Sequence, residues 1–102
     1  MSKSRHLHFE WDEGKAQSNA QKHGVTFTLA TSIFRDPDIR TMFDESHSEL
    51  EERWVALGMA STGALLVVVH LWMEIDLTNV TVRIISARKA TEAERALYLE
   101  SL

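Results

Sequence analysis

No cysteine occurs in the 102 residues, which excludes disulfides, thiolate metal sites and cysteine nucleophiles. Proline occurs once, as Pro37, and glycine only four times. There is accordingly no linker, low-complexity tract or glycine-rich phosphate loop. The longest apolar run, Ala64–Val69, is far short of the roughly 20 residues a membrane helix needs. The first residues, MSKSRHLHFEWDEG, carry no apolar core of the secretory kind, so a cytoplasmic location is expected. Bases are the scarcer charge, 11 against 15 acids, for a formal net charge of −4. Taken as a whole-molecule field, that argues against a polyanionic partner.

The charges are unevenly placed. Asp36–Glu52 holds seven acids and one base, a net of −6, and the other 85 residues carry 10 bases and 8 acids, a net of +2. Those bases fall into two groups. Lys3, Arg5, Lys15 and Lys22 lie near the start, and Arg83, Arg88, Lys89 and Arg95 near the end. A local basic cleft on an acidic body is therefore possible, whereas a broad nucleic-acid-coating surface is not.

The length fits one domain spanning 1–102. Leu7, Phe9 and Trp11 alternate in a strand over His6–Trp11. Asp12 caps a helix that runs to about His23 and stops at Gly24. Its polar stripe is Lys15, Asn19 and Lys22 or His23. Thr26 caps a second, short helix, with Val25 and Ala30 placed for a hydrophobic staple, and Asp36-Pro37 ends it. Ile39, Thr41 and Phe43 alternate in an edge strand, followed by an acidic loop over Asp44–Glu51. Three further strands are predicted over Arg53–Met59, Ala64–Trp72 and Val80–Arg88. Turns at Ala60–Gly63 and Glu74–Asn79 join them. The middle strand is apolar on both faces, as a covered central strand is. Thr91-x-x-Glu94 is a capping box that opens a last helix over Glu92 to about Glu100. The fold class is α+β.

Three clusters can carry chemistry. Lys15, Asn19, Lys22 and His23 offer a cationic helix stripe to phosphate, or are simply a solvated face. Arg53-Trp54 can bind and stack on a nucleotide, or be an ion pair beside a core tryptophan. Arg83–Lys89 places three bases and Ser86 next to a helix start, which suits an anion; equally, it can be a strand end answering Glu51 and Glu52. His6-x-His8 lacks further ligands at metal-binding spacing, so no metal and no cofactor is expected. His47 lies in the acidic loop and can titrate near neutral pH, while His70 reads as a hydrogen-bonded core residue.

Three separated motifs then converge. Phe9-Glu10-Trp11-Asp12-x-x-Lys15-x-x-x-Asn19-x-x-Lys22-His23-Gly24-Val25-x-Phe27 opens the chain. His47-Ser48-x-x-Glu51-Glu52-Arg53-Trp54-x-x-Leu57-Gly58 follows, and Arg83-Ile84-Ile85-Ser86-Ala87-Arg88-Lys89-Ala90-Thr91-x-x-Glu94-Arg95 closes it. In this order and spacing they resemble the BrnT family, toxins of bacterial type II toxin–antitoxin modules. The resemblance implies a RelE-like fold: an N-terminal strand and two helices, an antiparallel meander and a C-terminal helix. It implies a ribonuclease that arrests translation without a metal. It also implies a BrnA-type antitoxin in a complex of two toxins and two antitoxins, with operator DNA bound only through the antitoxin.

On that reading Arg53, Arg83, Arg88 and Lys89 surround the phosphate, and Lys22 reaches in from the first helix. Ser86 orients phosphate or ribose, and His23 or Glu52 carries the proton. Trp54 is the stacking platform, with Lys15 and Asn19 as further substrate contacts. In a regular strand Arg83 points away from Ser86 and Arg88, so without a bulge Arg83 is the first to leave the site. The same fold also hosts gyrase inhibitors, so the alternative is a non-catalytic module that docks its antitoxin and acts as a corepressor. Apolar residues of the edge strand, Ile39 and Phe43, are the expected antitoxin surface.

Overall fold

The computed structural model describes residues 5–102. Strand β1 (His6–Glu10) is followed by helix α1 (Glu13–His23) and the short helix α2 (Phe27–Thr31), which tightens into a 3-10 turn over Ser32–Arg35. Strands β2 (Arg40–Phe43), β3 (Arg53–Met59), β4 (Leu65–Glu74) and β5 (Asn79–Lys89) come next, and helix α3 (Glu92–Glu100) closes the chain. The acidic loop between β2 and β3 contains one 3-10 turn, Glu45–His47.

The caps lie where the sequence puts them. The Asp12 carboxylate accepts from the Lys15 backbone N–H at 2.9 Å. Gly24 ends α1 at φ 67°, a left-handed conformation that costs glycine least. Thr26 accepts from the N–H of Leu29. Thr91 and Glu94 form the reciprocal capping box of α3.

The meander β2–β5 is antiparallel, and β1 returns to pair parallel with β5, so the sheet is mixed, in the order β1-β5-β4-β3-β2. Helix α2 and its 3-10 turn cover one face. Their Phe27, Ala30 and Ile33 pack on Ala56, Leu66, Val68, Val82, Ile84 and Ala87. Each of these is buried, which supplies the main apolar driving force for folding. Helix α3 lies against the opposite face and contacts β3. Tyr98 pins it by donating to Asp36 at 2.6 Å, a carboxylate that also accepts from the Met59 N–H at 2.7 Å. Burial works against the Asp36 charge, but those donors hold its carboxyl below the usual range, and the Tyr98 hydroxyl is pushed up to about 12 by the same bond.

One irregularity in β5 decides which residues share a face. Val69 pairs with Ser86, but the next residue, His70, pairs with Ile84, so Ile85 is an extra residue in a bulge. Before the bulge Val82 and Ile84 face the core; after it Ala87 does. Regular alternation predicts Ser86 and Arg88 on the side of Val82 and Ile84. The bulge moves them to the side of Arg83.

Candidate active site

Helix α1 is held by a buried amide. Strand β1 ends at Glu10, opposite Arg83, and leaves the second half of β5 without a strand neighbour on that edge. Asn19, 7% exposed, takes the vacant place. Its Nδ2 donates to the carbonyls of Ala87 (2.8 Å) and Val25 (3.0 Å), and its Oδ1 accepts from the Ala87 N–H at 3.1 Å. A carboxamide offers the donor and acceptor of a peptide group, so Asn19 seals the strand as a neighbouring strand would. The expected substrate contact of Asn19 is thereby corrected: its amide is committed to the backbone.

That clamp presses the polar stripe of α1 against the bulge. Lys15, Ser18, Lys22 and His23 face Ile85 and Ser86 across a hollow of about 520 Å³. A second hollow, about 470 Å³, adjoins it, with Lys15 and Ile85 common to both. Its other walls include His47, Glu51, Arg53 and Leu71. The two together form one groove from α1 to the acidic loop. Three cations line it, Lys15, Lys22 and Arg53. Neither lysine forms an ion pair among the described residues, and no nitrogen of the Arg53 side chain has a hydrogen-bond acceptor there. Arg53 Nε is buried and forms an ion pair with Asp44 at 3.6 Å, beyond hydrogen-bond range.

Asp44 serves a second group. Its Oδ2 lies 3.0 Å from Nδ1 of His47, which fixes the ring and leaves Nε2 for the groove. Ser48 ties this loop down by donating to the Asp44 carbonyl at 2.6 Å and accepting from the Arg53 N–H at 2.9 Å. The sequence reading did not assign His47 and Asp44 to the site. The Asp-x-x-His spacing within the acidic loop was the available signal.

The bulge brings Arg83, Ser86 and Arg88 onto the face of Arg53, since Arg53, Leu71 and Arg83 are aligned in register. Arg83 is therefore not excluded by alternation, contrary to expectation. It is nonetheless paired with Glu10 at 2.7 Å. Arg88 is engaged more fully: its guanidinium forks onto Glu94 at 2.7 and 2.9 Å. That fork, with the Thr91 N–H, holds the Glu94 carboxyl down at about 2 and raises Arg88 above its ordinary value. Both terminal nitrogens of the Arg88 fork face a carboxylate, so Arg88 meets phosphate only by leaving Glu94.

Three expected residues lie on the other side of the sheet. Trp54 pairs with His70, and its indole N–H donates to Glu52 at 3.2 Å. Both Trp54 and Glu52 line a hollow beside Phe34 and Trp72, away from Arg53. Lys89 pairs with Leu66, a core-face residue, and so diverges from Arg88. The stacking role of Trp54, the proton role of Glu52 and the phosphate role of Lys89 are corrected for one reason: side chains alternate across a strand. Lys22, His23, Lys15, Ser86 and Arg53 are the expected residues that the fold does bring together.

The family model of the ribonuclease toxin BrnT, of type II toxin–antitoxin systems, matches residues 11–94. No curated protein matches the chain. Among solved structures, the crystal structure of the Brucella abortus ribonuclease toxin BrnT, at 1.1 Å resolution, aligns with a TM-score of 0.54. It is 21% identical and covers 85% of this chain and 100% of that one, a likeness of fold. The family match favours the ribonuclease over the non-catalytic alternative, and with most of its length so matched, the chain belongs to the BrnT family of ribonuclease toxins of type II toxin–antitoxin systems.

Proposed function

We propose that the groove between α1 and the acidic loop is the ribonuclease centre, and that it cleaves RNA without a metal by using the substrate's own 2′-hydroxyl. The observation that carries this reading is the set of three cations along one groove that also holds two histidines: Lys15 and Lys22 form no ion pair among the described residues, and Arg53 is paired with Asp44 at 3.6 Å without a hydrogen bond. The 2′-oxygen attacks phosphorus and forms a P–O2′ bond while the P–O5′ bond breaks. One side chain takes the 2′-hydroxyl proton, and another gives a proton to the departing 5′-oxygen. The products are a 2′,3′-cyclic phosphate and a 5′-hydroxyl. Lys15, Lys22 and Arg53 offset the charge that builds on the phosphoryl oxygens, and Ser86 orients phosphate or ribose. His23 and His47 are the two proton carriers, with Asp44 setting the ring of His47. Arg83 lies at the edge of this site and reaches RNA only by leaving Glu10.

The wider setting follows the family. The toxin acts in the cytoplasm, arrests translation, and is neutralised by a BrnA-like antitoxin in a 2:2 complex that meets operator DNA through the antitoxin. The test is cleavage of RNA by antitoxin-free protein in EDTA. Cleavage that yields cyclic phosphate ends, and is lost in Arg53→Ala and Lys15→Ala with the fold intact, is the expected result. Folded, antitoxin-free protein that leaves RNA whole sinks the reading.

A further inference from the structure

The sheet face opposite the basic groove carries a second concavity. Its floor is aromatic. Trp54 and His70 are register partners on β3 and β4, and the rings of His70 and Trp72 lie 6.4 Å apart. Phe34 stands edge-on to His70 at 5.0 Å, and Leu7 and Ile39 complete the walls of a hollow of about 440 Å³. The fold does not need this opening. A helix or loop could have covered it, as α2 covers the same sheet face further along.

Two features say what fits there. The first is His70, 1% exposed, whose Nδ1 has no hydrogen-bond partner among the described residues. Burial pushes its pKa down to about 4, against an opposing backbone contact at Val68, so the ring is neutral. A neutral ring at the floor of the hollow adds apolar area and no charge, which suits an apolar or aromatic side chain. The second is charge. The ionised groups at the rim are carboxylates, Glu52 and Glu74. Glu74 is neutralised by Arg5 at 2.9 Å, whereas among the described residues Glu52 receives only the Trp54 indole N–H. Phosphates of a nucleic acid would face like charge here, and a basic peptide would not.

The groove also opens beside the free edge of the sheet. Strand β2 pairs only with β3, Met42 is 72% exposed and Phe43 is 40% exposed, and Phe43 stands edge-on to Trp54 at 5.1 Å. An unpaired edge offers backbone donors and acceptors to an extended segment. We propose that this aromatic groove anchors the antitoxin. A segment of the antitoxin inserts an aromatic or branched aliphatic side chain between Trp54 and Phe34 and sets a neighbouring lysine or arginine against Glu52. From there it follows the β2 edge and the acidic loop towards the basic groove on the other face. The loop makes that path continuous, because Glu52 stands at the aromatic groove while Ser46, His47, Glu49 and Glu51 line the basic one. The inference rests on the toxin–antitoxin reading for the identity of the partner and is independent of how RNA is cut.

The experiment compares Trp54→Ala and Glu52→Lys with the unaltered toxin. Each refolded, antitoxin-free protein is titrated with the purified cognate antitoxin, and its RNA cleavage is measured separately. The expected result is at least a tenfold loss of antitoxin affinity in each variant with antitoxin-free cleavage unchanged within about twofold. Such variants keep cutting RNA at antitoxin concentrations that silence the unaltered protein. Unchanged affinity in Glu52→Lys overturns the proposal, and that exposed rim position reports even where Trp54→Ala loosens the fold. Loss of cleavage in step with weaker RNA binding also overturns it, since the groove then belongs to the nucleic acid. If the unaltered protein does not cut RNA, the ribonuclease reading fails, while the antitoxin titration still decides this one.

Discussion

Arg53 and Trp54 are adjacent in sequence and belong to opposite halves of the molecule. Arg53 opens onto a groove it shares with Lys15, Lys22, two histidines and Ser86. Trp54 opens onto a groove of aromatic rings with a carboxylate rim. Both use β3 and β4, through alternate residues, and each adds its own walls: α1 and the acidic loop on one side, β1 and Phe34 on the other. The difference shows that the net charge of −4 describes neither surface. One groove sets Lys15, Lys22 and Arg53 among Asp12, Glu49 and Glu51, and the other sets Glu52 and Glu74 around apolar and aromatic area.

Substitutions can break that contrast, and the largest effect belongs to Arg53. Arg53→Ala should lower RNA cleavage about 10³-fold, the scale of losing a charge-stabilising donor, with the thermal midpoint nearly unchanged. Trp54→Ala should leave antitoxin-free cleavage intact. Equal losses in the two would mean the faces are not functionally separate.

The next effect is a pH dependence carried by the aromatic face. His70 is depressed to about 4 in the folded chain from about 6.5 unfolded. Its neutral form is thus the one that folds, and the stability it permits is complete above pH 6.5 and falls away as pH drops to 4. The shift corresponds to about 3 kcal/mol at ~1.4 kcal/mol per unit. His70→Phe should remove this slope in urea-unfolding curves collected across that window. On the basic face the corresponding window is lower. Glu94, held at about 2, contributes stability that is complete above its ordinary value of 4.5 and is lost as pH falls towards 2. A slope between pH 6.5 and 4 that survives in His70→Phe would assign it elsewhere.

Asn19 comes third. Asn19→Ala leaves the Ala87 N–H and two carbonyls unmet and should cost about 2 kcal/mol in chemical unfolding. Because the same amide positions Lys15 and Lys22, cleavage should fall as well, without a change in RNA-end chemistry. The smallest effect is expected at Arg88. Arg88→Ala should cost about 1 kcal/mol, as partly exposed ion pairs do, and lower cleavage less than tenfold. A loss as large as that of Arg53→Ala would return Arg88 to the site.

Much of this was legible in the residues. Asp12, Gly24, Thr26 and Thr91 mark helix ends by local chemistry, and the structure uses each of them so. Strand β3 begins and ends at its predicted residues, because alternation and the Ala60–Gly63 turn fix both ends. The site was less legible, since it depends on partners far along the chain. Asn19 reads as one more polar residue on a helix stripe until β1 is seen to stop short. The Glu94 capping box was plain, yet nothing local says that the same carboxylate reaches back to Arg88. The divergence of Arg53 and Trp54 was available from alternation alone. The adjacent pair Ile84-Ile85 hinted at an irregularity, but which residue is extra depends on the register with β4.

The bulge at Ile85 makes β5 a strand read in two frames. Upstream residues are assigned to core or groove by one frame, downstream residues by the other. Removing Ile85 would restore a single frame and keep the downstream assignments, because His70 would still meet Ile84 and Val69 would still meet Ser86. Straightening the strand with Ile85 retained would instead turn Ala87 and Lys89 to the groove, and Ser86 and Arg88 to the core. A change that abolishes the bulge without shortening the chain would therefore act like several simultaneous substitutions. Chimeras between relatives should be joined on one side of Ile85 or the other, with the bulge inherited whole.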